Sequence, residues 1–256
     1  MARSIERVSA LFGRELAAFF LSPTAYFLLL AFQIIAWFNF AELMALVSRP
    51  RLSFSITTDP ISNYLSSSVS FWIAVMIAVP VLTMRLVAEE RRLGTWESLL
   101  TAPVTETEII LAKWLAAVVM FLVLQIPHLI YLPFLARFLA IDPGPPLGLV
   151  LGLASAALMF SAIGVFFSTL ARSQVVAAVW TFLALFGFVL LPQLLYNLGA
   201  TRQASWLDVA RQFAVLQQIH DLGTGRFDPR VPLLHGSVAT LFLFLAIRCA
   251  RLRPFM

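Results

Sequence analysis

The sequence predicts an all-helical integral membrane protein that crosses the bilayer six times. Three observations predict it: an excess of apolar residues, six apolar segments of spanning length, and charge gathered on short stretches between them. Of 256 residues, 61% are hydrophobic and only 12% charged, whereas soluble domains sit near half and a quarter. One soluble core would leave that surplus facing water.

The six segments are approximately Tyr26–Leu46, Ser68–Val87, Leu111–Leu135, Leu147–Leu170, Val175–Leu198 and Leu233–Ala250. Each approaches the roughly 20 apolar residues that a helix needs to cross a hydrocarbon layer. Pro80 lies in the second, Pro127 and Pro133 in the third; membrane helices tolerate proline where neighbours satisfy the freed carbonyls. A single transmembrane domain, 1–256, is expected, with an N-terminal stretch 1–22, a charged loop 88–110 and a long loop 199–231.

An even number of spans puts both termini on one side. The N-terminal stretch, the second and fourth loops and the tail carry eleven Lys and Arg, and the other side seven: Arg49, Arg51, Arg137, Arg202, Arg211, Arg226 and Arg230. The positive-inside bias therefore predicts that the termini and the charged loop face the cytoplasm. The net charge of +5 belongs with arginines beside anionic lipid. A basic stripe interleaved with solvated aromatics, the pattern of nucleic-acid binding, is absent.

Glu6 and Glu15 and the length of the following apolar run argue against a cleaved signal peptide. Residues 3–19 instead predict an amphipathic helix: Arg3, Arg7 and Arg14 fall within about 40° of each other, opposite Ile5, Val8, Phe12, Leu16 and Phe19. Such a helix lies in the membrane interface with its apolar face in lipid. Ser22-Pro23 marks the turn into the first span. Asp142-Pro143-Gly144-Pro145-Pro146 predicts a tight turn. In the long loop, Trp206, Val209, Ala210, Phe213 and Gln217 follow helical spacing and predict a short helix on the outer face, ended near Gly223 and Gly225.

The second loop, MRLVAEERRLGTWESLLTAPVTETEIILAKW (Met84–Trp114), has the most local punctuation. Gly94 should break the extension of the second span, and Thr95 should start a short helix with Glu97 in its first turn. Pro103 stops that helix, and Thr105-Glu106-Thr107-Glu108 reads as a capping box that starts the third span. The expected result is a crossbar between two membrane helices. Trp96, Leu99 and Leu100 would form an apolar ridge, and Glu89, Glu90, Arg91, Arg92 and Glu97 would set register by charge. That shape suits receipt of force from another protein.

This loop closely resembles that of permease subunits of type-2 ABC transporters, in particular the gliding-motility branch related to the permease of nitrous-oxide-reductase maturation. The matching residues are Glu89, Glu90, Arg91, Gly94, Thr95, Glu97, Leu99, Leu100, Pro103 and Val104. GRELAAFFLSPTAY (Gly13–Tyr26) is similar to the family's interface helix through Arg14, Glu15, Ser22, Pro23 and Tyr26. QIHDLGTGRFDPR (Gln218–Arg230) resembles the segment before the last span through His220, Gly225, Asp228 and Arg230. The resemblance implies that the loop is a coupling helix docking into an ATPase subunit. It also implies a pair of ABC ATPase subunits, a second permease, identical or not, and a periplasmic auxiliary partner. The cytoplasmic (inner) membrane, with its lipid, would be the setting, and export the direction.

The only lysine, Lys113, stands in LAKWLA, so this chain carries no Walker A phosphate loop. ATP and Mg would be bound by the partner; no cofactor, metal site or catalytic residue is expected here. Asn39 and Glu42, late in the first span, are intramembrane polar candidates. His128 reads as a packing residue; His220 and His235 are too isolated to argue a site. An intramembrane zinc protease would need His-Glu-x-x-His and a serine hydrolase a Gly-x-Ser-x-Gly-like nucleophile; neither is present. An ion-coupled secondary transporter or channel would show polar series within several spans, which the later spans lack. A mechanotransmitting subunit that acts on a periplasmic partner without transported substrate is the nearest variant.

Overall fold

A computed structural model describes residues 2–47, 68–101, 103–135, 143–202 and 206–252. Arg49, Arg51, Arg137, Asp142 and Arg253 lie outside them, and Arg3, Glu97 and Leu100 are placed by backbone alone. The described residues are mostly helical and include no strand, the helices being in chain order α1 (Ala2–Phe20), α2 (Pro23–Val47), α3 (Val69–Thr83), α4 (Ala88–Arg92), α5 (Thr95–Leu100), α6 (Glu106–Leu135), α7 (Gly144–Leu170), α8 (Gln174–Arg202), α9 (Leu207–Phe213), α10 (Val215–Gly223) and α11 (Arg230–Leu252). Six helical stretches are long and apolar enough to cross a membrane: those of α2, α3 with its extension to Arg92, α6, α7, α8 and α11. The protein is an all-α, multi-pass membrane protein.

The spans are not equivalent. Within the apolar 18-residue centre of each span, 72% of residues are buried by the rest of the chain in the fourth, 67% and 61% in the second and third, but only 28%, 22% and 28% in the first, fifth and sixth. A central trio, α3, α6 and α7, therefore forms the core around Phe71, Phe121 and Phe160, while α2 and α8 turn broad apolar faces outward. His128 packs edge-on against Phe32 and Phe71, with ring centroids 5.9 and 5.0 Å away, which agrees with a packing role. Asn39 Oδ1 accepts hydrogen bonds from Ser68 (2.9 Å) and Ser70 (3.3 Å), tying the first span to the start of the second; Glu42 is exposed.

Two expectations change at the helix ends. Pro145 and Pro146 lie in the first turn of α7, where their missing N–H groups leave no helical bond unmade. The long loop is largely helical, because α8 runs on to Arg202 and the expected single helix is two, broken at Ala214 with ψ 93°. Gln217 thus belongs to the second of these helices, where it is half-buried and donates to Asp221 Oδ1 (2.9 Å).

α10 packs against the start of α7. A Cβ on Gly148 would lie 1.9 Å from the Leu222 carbonyl oxygen, so the backbone contact requires glycine. The same helix pair is joined to the sixth span by a buried polar chain. Ser155 Oγ lies 2.9 Å from His235 Nδ1, and His235 Nε2 lies 3.0 Å from Gln218 Oε1. His235, isolated in sequence, is the centre of this chain.

Candidate coupling site

Local chemistry forms the crossbar as its punctuation predicts. Gly94 has φ +71°, a left-handed conformation that glycine adopts without the Cβ penalty, and it separates α4 from α5. Glu108 N donates to Thr105 Oγ1 (3.3 Å) while Thr105 N donates to Glu108 Oε2 (2.9 Å), a reciprocal capping box. Glu108 Oε1 also accepts from Ser4, so the same carboxylate anchors α1 to α6. α5 begins at Thr95, but the Thr95 hydroxyl donates back to the Glu90 carbonyl (3.3 Å), bracing α4 instead of capping α5.

Three charges of this loop, Glu90, Arg91 and Lys113, turn inward. Lys113, from α6, has a side chain only 2% exposed; its Nζ lies 2.8 Å from Glu90 Oε1 and 3.1 Å from Glu15 Oε1. Arg14 lies 2.7 Å from the same Glu15 oxygen and 3.5 Å from Glu90. One node thus joins the interface helix, the crossbar and the third span. A buried charge is costly unless paired and hydrogen-bonded, so these partners are what make a buried Lys113 tenable in α6. α1 is consequently a packed element: Leu11, Phe12 and Phe19 meet the core, and Arg85, lying over the Phe19 ring, donates to Ser22 Oγ (2.7 Å). The expectation that its apolar face lies wholly in lipid is corrected by this packing. Arg7 remains exposed.

Arg91 donates to the Thr169 carbonyl and stacks over Trp96, 5.5 Å from the ring centre. Trp96 is 2% exposed and Leu99 packs on the core, so they seat α5 rather than form an outward ridge. The six-residue helix is too short for periodicity to tell which face the bundle would cover. Outward-facing residues are Arg92, Leu93, Gly94, Thr95, Thr101 and Pro103, with Glu89 half-buried; Leu93 is 62% exposed.

Between α3 and α4 the backbone leaves helical geometry at Met84–Val87, deep enough that Val87 and Ala88 are fully buried. Ser168 of α7 supplies the missing partner: Val87 N and Ala88 N donate to its Oγ at 3.1 and 3.2 Å, and the hydroxyl donates to the Met84 carbonyl. Sequence reasoning missed Ser168, because nothing local distinguishes it from other small residues in α7. The crossbar is therefore bonded to three other helices: to α1 and α6 through the charge node and to α7 through Ser168 and Thr169.

At the opposite end, Gly225 (φ +79°) follows α10, and Asp228 Oδ1 accepts from Arg230 N (2.9 Å), opening α11. His220 is half-buried in α10. Arg211 donates to Asp221 through Nε (3.3 Å) and Nη2 (2.8 Å), and the neighbouring carboxylate raises its already high pKa further.

The fold and site together define a multi-pass membrane protein of six spanning helices, with a braced crossbar between the second and third. A family model described as "ABC-2 family transporter protein" matches residues 14–222, and the chain belongs to that family. It is a permease component of an ABC transporter. No curated protein sequence matches it.

Proposed function

We propose that this chain is the translocating subunit of an ATP-driven exporter in the cytoplasmic membrane, with both termini and the crossbar cytoplasmic. Two ABC ATPase subunits, which bind ATP and Mg, would dock on α4–α5, and a second permease would complete the path. The observation that carries the reading is the Lys113 node. A push on α4 would reach α6 from Glu90 through Lys113, and α1 through Arg14 and through the Lys113–Glu15 pair. Ser168 and Thr169 pass the same displacement to α7. Closure of two ATPases would thus become a rigid tilt of several spans. The outward apolar faces of α2 and α8 supply surface for lipid and for the second permease. The loop resemblance supports the gliding-motility or nitrous-oxide-reductase-maturation branch.

The docking surface in this reading is Arg92, Leu93 and Thr95; Glu90 and Arg91 act behind it by holding the crossbar. The test is affinity purification of the tagged chain from its native membrane with its retained ATPase. Leu93→Glu should reduce ATPase recovery by about tenfold or more, as expected when a charge is buried unpaired at an interface, while leaving the permease monodisperse. ATP hydrolysis by the permease alone, or full recovery with L93E, would overturn the assignment.

A further inference from the structure

The end of the bundle opposite the crossbar contains a partly enclosed cavity of about 480 Å³, within the size range of small-molecule sites. It is walled by α9, α10, the turn after α10 and the first turns of α11. Arg211, Arg226, Arg230, Asp208, Asp221 and Asp228 line it, giving a formal charge of zero. Arg211 and Asp221 neutralise each other at 2.8 Å, and one oxygen of Asp228 is occupied by the Arg230 backbone N–H. The guanidinium groups of Arg226 and Arg230 make no hydrogen bond or ion pair among the described residues. Phe213, Val231 and Leu234 add an apolar wall.

The placement is interfacial. α11 is a membrane-crossing helix that begins at Arg230, on the cavity wall, and its other end, at Arg251, hydrogen-bonds Thr107 beside the crossbar. Trp206, which precedes α9, and Val209 and Phe213 within it form one exposed apolar stripe, with Asp208 and Arg211 on the opposite side, the pattern of a helix lying at a lipid surface. A neutral cavity with separated cations and anions matches a zwitterion better than an anion, which would leave the aspartates facing negative charge.

We propose that this cavity binds a zwitterionic phosphate-and-ammonium headgroup of a membrane lipid, its phosphate on Arg226 and Arg230, its ammonium toward Asp208 and Asp228. The acyl chains leave along Phe213. The same headgroup chemistry exists on a soluble glycerophosphoester, and the test separates the two sources. The site is independent of the ATPase reading, since it needs neither nucleotide nor partner.

Full-length protein, delipidated in detergent, is titrated by native mass spectrometry with short-chain phosphatidylethanolamine, phosphatidylglycerol of equal chain length, free glycerophosphoethanolamine and an acidic peptide. Phosphatidylethanolamine should bind more tightly than phosphatidylglycerol. Arg226→Gln with Arg230→Gln should weaken it about tenfold or more, as loss of charge-assisted hydrogen bonds requires. Asp208→Asn with Asp228→Asn should erase the preference, and Arg172→Gln at the crossbar end should change nothing. If the double arginine variant does not elute as a folded species, Phe213→Ala serves instead and should weaken the lipid but not the free headgroup. Free headgroup binding as tightly as lipid keeps the site and assigns it a soluble ligand. Equal binding of the two lipids by the unmodified protein, phosphatidylethanolamine binding untouched by the arginine or Phe213 changes, or its displacement by the acidic peptide would overturn the proposal.

Discussion

The two ends of this bundle solve the same problem with different chemistry. At the crossbar end, helices are joined by a buried ionic node, Arg14–Glu15–Lys113–Glu90, within a side chain's reach of solvent. At the opposite end, α10 is joined to α7 and α11 by neutral hydrogen bonds through Ser155, His235 and Gln218, and by a glycine contact that admits no side chain. Charges act over distance and tolerate small displacements; backbone contacts at van der Waals range do not. The comparison teaches that the contacts at the crossbar end can survive small displacements, whereas those at the far end admit one packing.

The largest expected effect comes from breaking the node. Lys113→Met removes the buried cation and leaves Glu15 and Glu90 to share the half-exposed Arg14, and should cost about 3 kcal/mol, read as loss of thermal stability and of folded yield in detergent. Restoring stability by combining it with Glu90→Gln would confirm that the cost is the uncompensated carboxylate. Next is Gly148→Val, which drives a side chain into the Leu222 carbonyl and should cost at least about 1–3 kcal/mol, with increased proteolysis at α10 as the local readout. His235→Ala leaves the buried Gln218 Oε1 without its partner, while Ser155 keeps its bond to the Gly152 carbonyl, and should cost about 1–3 kcal/mol, seen as faster hydrogen exchange in α10 while α4 and α5 keep their protection.

Smaller effects follow at exposed positions. Thr105→Ala removes half of a capping box and should cost about 1 kcal/mol. Arg211→Gln breaks an exposed pair and should cost under about 1 kcal/mol, vanishing in high salt, whereas the Lys113→Met penalty should persist there. Equal salt sensitivity of the two variants would erase the contrast between the ends.

Legibility followed the range of the interaction. Six spans, the break at Gly94 and the Thr105–Glu108 box depend on neighbours a few residues apart, and sequence spacing encodes them. Lys113 could be counted but not paired, because Glu15 and Glu90 come from other segments of the chain. Ser168 and Ser155 carry no local signal at all; each is a small residue in an apolar helix until a neighbouring backbone or ring needs a partner. Trp96 misled for a related reason: on so short a helix an indole facing a partner and one facing its own bundle give the same pattern. His235 and Gln218 were separated by a turn and a helix boundary, and only folding brought them to 3.0 Å.

By itself the sequence determined that the chain crosses a membrane on six helices and presents a punctuated loop between the second and third, since hydrophobic length and capping are local properties. Tertiary structure alone decided which charges on that loop remain available. It drew Glu90, Arg91 and Trp96 inward and left Arg92, Leu93 and Thr95 outside. The physical reason is that a buried lysine and a non-helical backbone segment must be satisfied by partners distant in sequence, and those partners compete with solvent and with any docking protein for the same side chains.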